Sequence, residues 1–306
     1  MKNCPQTSYS YHVPVMLQEA IAGLNIRPGG VYADLTFGGG GHSREMLQHV
    51  GDRGHLYGFD QDLDAIAGAP EDERFTFVRS NFRYFKNWMQ YYGHDEVDGI
   101  LADLGVSSHH LDAAERGFSF RMDAPLDMRM NQRARLTARE VVNEYSEEAL
   151  ERIFRLYGEL RQGKRLAQTL VKARTVRPVE TTGQLAETLA PLLDRSRERK
   201  DLARVFQALR IEVNGEMKAL QQMLLAATKM LRPGGRLVVL TYHSLEDRMV
   251  KNVMRSGNVD GQCERDIYGH TPAPLAPIGK ALVPTAQEQT ENPRSRSAKL
   301  RVAEKR

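Results

Sequence analysis

The apolar positions of this chain change rhythm twice, and the changes divide it into three stretches. In the first, short apolar runs alternate with helical spacing. Val15, Leu17, Ala20, Ile21 and Leu24 predict an opening helix over 14–24. Val31, Tyr32, Ala33 and Leu35 read as a buried strand, and from His42 the residues Met46, Leu47 and Val50 mark one side of a helix. A second strand spans 54–59 and ends at Asp60. A third spans 75–78, a helix follows over 82–92, and a fourth strand over 97–101 ends at Asp103. Strands alternating with helices imply a parallel sheet with right-handed crossovers. The second stretch, 111–204, shows no strand pattern. Helices are predicted over 137–145, 146–157, 164–174 and 182–193, several opened by Ser or Thr, and Glu140 completes a capping box with Thr137. In the third stretch, Phe206, Leu209, Val213, Met217, Leu220 and Leu224 predict one long helix ending before Pro233-Gly234-Gly235. A fifth strand covers 236–241. Two further candidates, 281–285 and 298–303, flank a polar loop at 287–297 and suggest a hairpin that gives the sheet an antiparallel edge. The expected organisation is an α/β sheet built from 1–110 and 205–306, with a helical insertion at 111–204.

The first strand runs into four glycines, Gly38 to Gly41, before His42 and Ser43 open the helix. Such a turn lets a ligand lie directly on the backbone. With the acid Asp60 closing the next strand, this is the layout of a nucleotide-type site in which a carboxylate accepts ribose hydroxyls. No Gly-Lys-Ser/Thr follows the glycines, so a Walker site is excluded, and the spacing favours an adenosyl cofactor without a pyrophosphate. In an open sheet of this kind the ligand lies beyond the carboxyl ends of the strands. That rule collects Thr36 to Gly41, Asp60, Asn81, Phe82, Asp103 with the residues to His110, and Tyr242, His243 and Ser244 on one edge.

Composition narrows the class. The 306 residues are 41% hydrophobic, enough for a substantial core, and no apolar run approaches the ~20 residues of a membrane span. The N-terminus lacks the apolar stretch of a signal peptide. Cys4 and Cys263 are the only cysteines, and neither they nor His109 and His110 fall in a metal-ligand spacing. A cytoplasmic protein without a metal is expected. A formal net charge of +4 is compatible with nucleic acid without arguing for it.

From Gly99 onward the motifs become specific. Asp103-Leu104-Gly105-Val106-Ser107-Ser108, the run from Asp112 through Arg116-Gly117-Phe118-Ser119-Phe120-Arg121, and Pro125-Leu126-Asp127-Met128-Arg129-Met130 resemble the bacterial 16S rRNA cytosine-N4 methyltransferase family. The likeness includes the block from His12 to Leu17, Thr36-Phe37-Gly38 with Gly40 to Ser43, Phe206 to Asn214, His243 to Arg248, and Asn292 to Ser297. It implies a seven-stranded Rossmann-like methyltransferase sheet with a helical insertion for substrate. It also implies S-adenosylmethionine as cofactor, held by Gly40, Gly41, His42, Asp60, Phe82, Asp103 and His110. Gly40, Gly41, Asp60, Phe82 and Asp103 already stand on the edge assembled from strand ends, and His42 borders its glycine turn. Relatives often carry Gln where His110 stands and Gly where Leu35 stands. The implied reaction is methylation of the exocyclic N4 amine of a cytosine in the decoding centre of 16S rRNA, within the small ribosomal subunit.

Cytosine N4 has a lone pair delocalised into the ring, and an acceptor on one of its hydrogens frees it. Asp103 is the first candidate for this role and His243 the next. The Pro-Pro-aromatic step common in amino-methyltransferases is missing after Asp103, which makes Phe118 or Phe120 the candidate stacking aromatics. Arg195, Arg197, Arg199, Lys200 and Arg204, and separately Arg294, Arg296, Lys299 and Arg301, are candidate RNA contacts. The rival readings are a DNA amino-methyltransferase, an RNA-binding ribosome-assembly factor without turnover, and a nicotinamide oxidoreductase. The sequence leaves a homo-oligomer open.

Overall fold

Strands that are apolar on both faces need helices on both sides of the sheet, and the chain supplies them. The computed structural model describes residues 14–107, 111–262 and 273–306. His109, His110 and both cysteines lie outside the described residues. The strands are β1 (Val31–Asp34), β2 (His55–Asp60), β3 (Phe75–Arg79), β4 (Val97–Asp103), β5 (Leu231–Thr241), β6 (Leu275–Pro277) and β7 (Lys299–Lys305). They form one seven-stranded sheet in the order β3-β2-β1-β4-β5-β7-β6. β1 to β5 are parallel, and β7 runs antiparallel to both β5 and β6. Because β1 pairs β2 on one side and β4 on the other, the sheet reverses its direction of growth there. A crevice opens beyond the carboxyl ends of β1 and β4.

Helices α1 (Leu17–Leu24), α2 (Gly41–His49) and α3 (Phe85–Tyr91) follow the expected pattern, with Phe82–Tyr84 forming a short 3-10 turn ahead of α3. One face of the sheet buries Tyr32, Met46, Leu56, Leu101 and Val238 against the opening helices. The other buries Phe59, Phe85, Met89, Ile100, Leu224 and Val239.

The second stretch forms α4 (Ala138–Glu144), α5 (Glu147–Leu156), α6 (Gly163–Arg174) and α7 (Thr182–Leu189). Thr137 and Glu140 make the predicted capping box, and Ser146 caps α5. Among the described residues of this stretch the only β contact is an isolated bridge between Pro125 and Thr181. These helices surround a core of their own, including Phe154, Leu166, Leu185, Phe206 and Leu209.

Three expectations are corrected. The long helix is two: α8 (Glu198–Asn214) and α9 (Glu216–Met230), broken at Gly215 with φ 59°. α8 packs its apolar stripe through Val213 into the helical core, whereas Leu220 and Leu224 of α9 pack on the sheet. The change of core therefore falls at Gly215 and not at 204/205. Second, β5 begins before the glycine pair and runs through Pro233 and Gly234, with an irregular register against Val97 and Gly99. Third, 281–285 is not a strand. Leu282 makes one bridge to Leu300, and β7 pairs instead with Leu275–Pro277. The expected polar loop is the helix α11 (Ala286–Glu291) and a 3-10 turn, Pro293–Ser297. Thr285 caps α11 by accepting from the Glu288 N–H.

Asn214 explains why the block from Phe206 ends as it does. Its amide oxygen accepts the Met130 N–H at 2.8 Å, and its amide nitrogen donates to the Met128 carbonyl at 2.8 Å. Met128 is buried with φ 62°, so this segment needs such a strap. Asn214→Ala leaves the buried Met130 amide unpaired and should cost about 1–3 kcal/mol. Thermal melting checks it, and an unchanged midpoint would show that the segment is held by other means.

Candidate active site

The carboxyl edge of the sheet is assembled around buried Asp34, at the end of β1. One carboxylate oxygen accepts the Ser43 hydroxyl at 2.6 Å and the other the Thr36 N–H at 3.1 Å. The Thr36 hydroxyl oxygen accepts the Asp103 N–H at 2.6 Å, which ties the end of β4 to the turn after β1. Burial raises the Asp34 carboxyl above the ordinary aspartate value, opposed by His42 and by the Ser43 and Thr36 hydrogen bonds.

Asp60 at the end of β2 accepts two backbone amides, Gly38 N–H and Asp62 N–H, each at 2.8 Å. It therefore anchors the glycine turn as well as standing where a ribose acceptor is expected. Phe82 is half-buried. It packs on the sheet core and lines a narrow cleft with Thr36, Gln61, Asn81 and Leu104. Asn81 donates to Gln61 across the cleft mouth at 2.8 Å.

His42 is buried. Its Nε2 lies 3.2 Å from the Val15 carbonyl, which fixes a proton on that nitrogen, and its Nδ1 lies 4.0 Å from Asp103 Oδ2. Asp103 accepts the Tyr242 hydroxyl at 2.7 Å on its other oxygen, and a quarter of its side chain is exposed. Burial raises its carboxyl above the usual value. Nearby Asp34 and Glu246 act in the same direction, while His42 and the Tyr242 bond oppose them. Burial and Asp103 together push the Tyr242 phenol well above its ordinary value.

Other candidates are placed less favourably. The His243 side chain is only 8% exposed and caps α10 (Ser244–Ser256), its Nδ1 accepting the Glu246 N–H at 3.4 Å. Its Nε2 lies 3.2 Å from Glu246 Oε1 without the alignment of a hydrogen bond. His243, Glu216 and Glu246 bring ligand atoms within 4.8 Å of one another. Arg210 binds both Glu216 oxygens at 2.9 Å, and an accepting Nδ1 keeps the His243 proton on Nε2, where a metal would need a lone pair. Phe118 and Phe120 are not at the edge. Phe118 is buried in the helical core, and Phe120 packs edge-on against Phe206 at 5.3 Å. The aromatic beside Asp103 is Tyr242, whose ring stands close to Gly105. Strand-end position marked Tyr242 in the sequence, but nothing there marked its bond to Asp103. His110 lies outside the described residues.

The basic clusters also differ. Arg294 is ion-paired with Asp112, and Lys299 and Arg301 both bind Asp247, at 3.1 and 2.7 Å. Arg296 is exposed, as are Arg195 and Arg197 just ahead of α8 and Arg199 and Lys200 in its first turn.

The glycines of the turn serve different ends. Gly40 has φ 74°, and a Cβ there would meet the Phe37 ring at 2.5 Å. A Cβ at Gly41 would meet Pro14 at 2.2 Å. Both are required by the fold itself, whereas a Cβ at Gly39 meets nothing within 4 Å. Gly40→Ala should lose about 1–2 kcal/mol from the left-handed backbone alone, and Gly39→Ala should melt like the wild type. Equal melting of the two variants would contradict this division.

The MraW methylase family model matches residues 9–306. The chain is 60% identical over 297 residues to "Ribosomal RNA small subunit methyltransferase H" of Phocaeicola vulgatus, covering 97% of this chain and 98% of that one. It is 56% identical to the protein of the same name from Porphyromonas gingivalis, over 99% of both chains. It is 50% identical to that of Christiangramia forsetii, over 96% of this chain and 98% of that one. Among solved structures, a putative rRNA-methylase from Clostridium thermocellum aligns over 97% of this chain and 100% of its own. Its TM-score of 0.45 and identity of 12% add nothing to the argument. With a family model spanning nearly the whole sequence and relatives this similar end to end, the chain belongs to the MraW methylase family.

Proposed function

We propose that this chain transfers a methyl group from S-adenosylmethionine to the N4 amine of a cytosine in the decoding centre of 16S rRNA. The observation that carries the reading is the position of Asp103. Its carboxylate stands at the open end of β4, tied through Thr36 to the glycine turn and held by the Tyr242 hydroxyl.

The edge fits the cofactor. The cleft beside Phe82, Leu104 and Thr36 offers an apolar wall for an adenine, Asp60 closes β2 at the position where ribose hydroxyls would bind, and the glycine turn offers close backbone approach. Gly40, Gly41, His42 and Asp103 complete this set, and His110 follows from the family motif alone. When bound, S-adenosylmethionine supplies an electrophilic methyl on a sulfonium, so the protein's work is alignment and electrostatics. Asp103 accepts a hydrogen bond from the cytosine amine and so frees the nitrogen lone pair toward the methyl; the proton that the nitrogen sheds as the new N–C bond forms would pass to the same carboxylate. Tyr242 fixes the carboxylate's rotation, and His42 braces it from the side of the turn. His243 positions α10 through its cap and is not the acceptor. The helical unit presents the RNA, with Arg195, Arg197, Arg199 and Lys200 on its exposed approach. Arg296 is a weaker candidate, and the charge of Arg294 is spent on Asp112. The substrate is taken as rRNA within the small subunit.

The test is methylation of free 16S rRNA and of assembled small subunits with the modified nucleotide mapped. One N4-methylated cytosine is expected. Methyl incorporation elsewhere, or into DNA in preference, would overturn the reading. In single turnover at saturating cofactor, Asp103→Ala should slow transfer by about 10²-fold or more. Asp103→Asn, which keeps an acceptor for Tyr242, should be milder. Near-normal rates in Asp103→Ala would confine this residue to cofactor binding.

A further inference from the structure

A second concave site lies where the helical unit meets the sheet edge. It is a cavity of about 400 Å³ lined by Glu159, Arg161, Gln162, Arg197, Asp201 and Arg204. Its acids are already engaged. Glu159 accepts the Ser244 hydroxyl and binds Arg248 at 3.1 Å. Asp201 is buried, accepts from Gln162 at 3.4 Å and faces Arg204 at 3.8 Å. Arg161 and Arg197 are exposed and have no side-chain ion pair or hydrogen bond among the described residues. The cavity thus presents two exposed guanidinium groups, Arg197 within electrostatic reach of Asp194, over a floor whose acids are already paired.

Its location is set by the Glu159 clasp. Glu159 holds a left-handed backbone at φ 48°, unfavourable for a residue with a Cβ, and its side chain reaches the first turn of α10. Ser244, which it binds, follows Tyr242 and His243 at the carboxyl end of β5. The cavity therefore borders the edge that carries Asp103 and Tyr242.

We propose that this cavity takes a backbone phosphate of the RNA, next to the nucleotide presented to Asp103. Guanidinium groups match phosphate oxygens in geometry as well as charge. A phosphate gripped here fixes the strand's register while base contacts at the edge do the choosing. The inference rests on the reading of the chain as an RNA methyltransferase. It adds Arg161 and the Glu159 clasp, which no sequence pattern singled out.

The test is equilibrium binding of an RNA oligonucleotide carrying the mapped target. It is run across salt concentrations, then with single neutral methylphosphonates walked along the backbone. The wild type should lose affinity at one or two phosphates beside the target. The exposed double variant Arg161→Ala/Arg197→Ala should bind about tenfold more weakly and lose that position-specific penalty. Its salt slope should flatten by about 0.7 for each lost single-strand phosphate contact. Melting temperature and S-adenosylmethionine affinity by calorimetry should not change. An identical salt slope and methylphosphonate profile in variant and wild type would overturn the proposal, even if methyl transfer proceeds as expected. A position-specific penalty lost in the variant would support it, even if the wild type failed to methylate the RNA.

Discussion

A single buried carboxylate, Asp34, sets the geometry on which the reactive edge depends. It joins β1 to the first turn of α2 through Ser43 and to the following turn through Thr36, and the Thr36 hydroxyl reaches the amide of Asp103. Three elements distant in sequence are thereby locked at one point. A buried ionisable group is expensive unless its lone pairs are filled, and here hydroxyl and amide donors fill them. The pressure of burial on Asp34 and Asp103 is the cost of placing two carboxylates beside one turn. His42, between them, moderates both.

The helical unit and the sheet are distinct cores joined at a few polar points. Gln61, just after β2, donates to the Met130 sulfur at 3.3 Å, Arg116 binds buried Asp62 at 3.1 Å, and Glu159 clasps the head of α10. Each joint lies near the carboxyl edge of the sheet. Such an arrangement lets the helical unit vary its outer surface without disturbing the edge. It also explains why so many residues of the family motifs, Arg116, Asp127, Arg129 and Asn214 among them, turn out to bind protein groups.

Much of this was legible in the sequence, for identifiable reasons. The parallel strands are short apolar runs each ending in an acid or a polar turn, so position alone put Asp60, Phe82, Asp103 and Tyr242 on one edge. The helices of 137–193 announced themselves through Thr137, Ser146 and their caps. The break at Gly215 was hidden because the apolar stripe of α8 continues in phase into α9 although the two face different cores. The tail was misread because Leu282 and Val283 look strand-like. The capping pair Thr285 and Glu288 carried the better signal, and Glu288 also accepts the Met16 N–H at 2.7 Å. Side-chain partnerships across long separations leave no trace in local pattern. Asp60 anchoring Gly38, Tyr242 holding Asp103 and Glu159 reaching Ser244 are all of this kind.

The central claim is that an ionised Asp103, aimed by Tyr242, accepts a hydrogen bond from the reacting amine. The charged carboxylate accepts far more strongly than the neutral acid, and burial raises its pKa above that of an ordinary aspartate. The rate of methyl transfer should therefore fall as pH drops through that raised value. The Tyr242 hydroxyl favours the ionised form, so its loss raises the pKa further. The direct measurement is the single-turnover pH profile of wild type and Tyr242→Phe at saturating cofactor. The account predicts that the acid limb of the variant moves to higher pH. An acid limb that stays in place, or moves to lower pH, would contradict it.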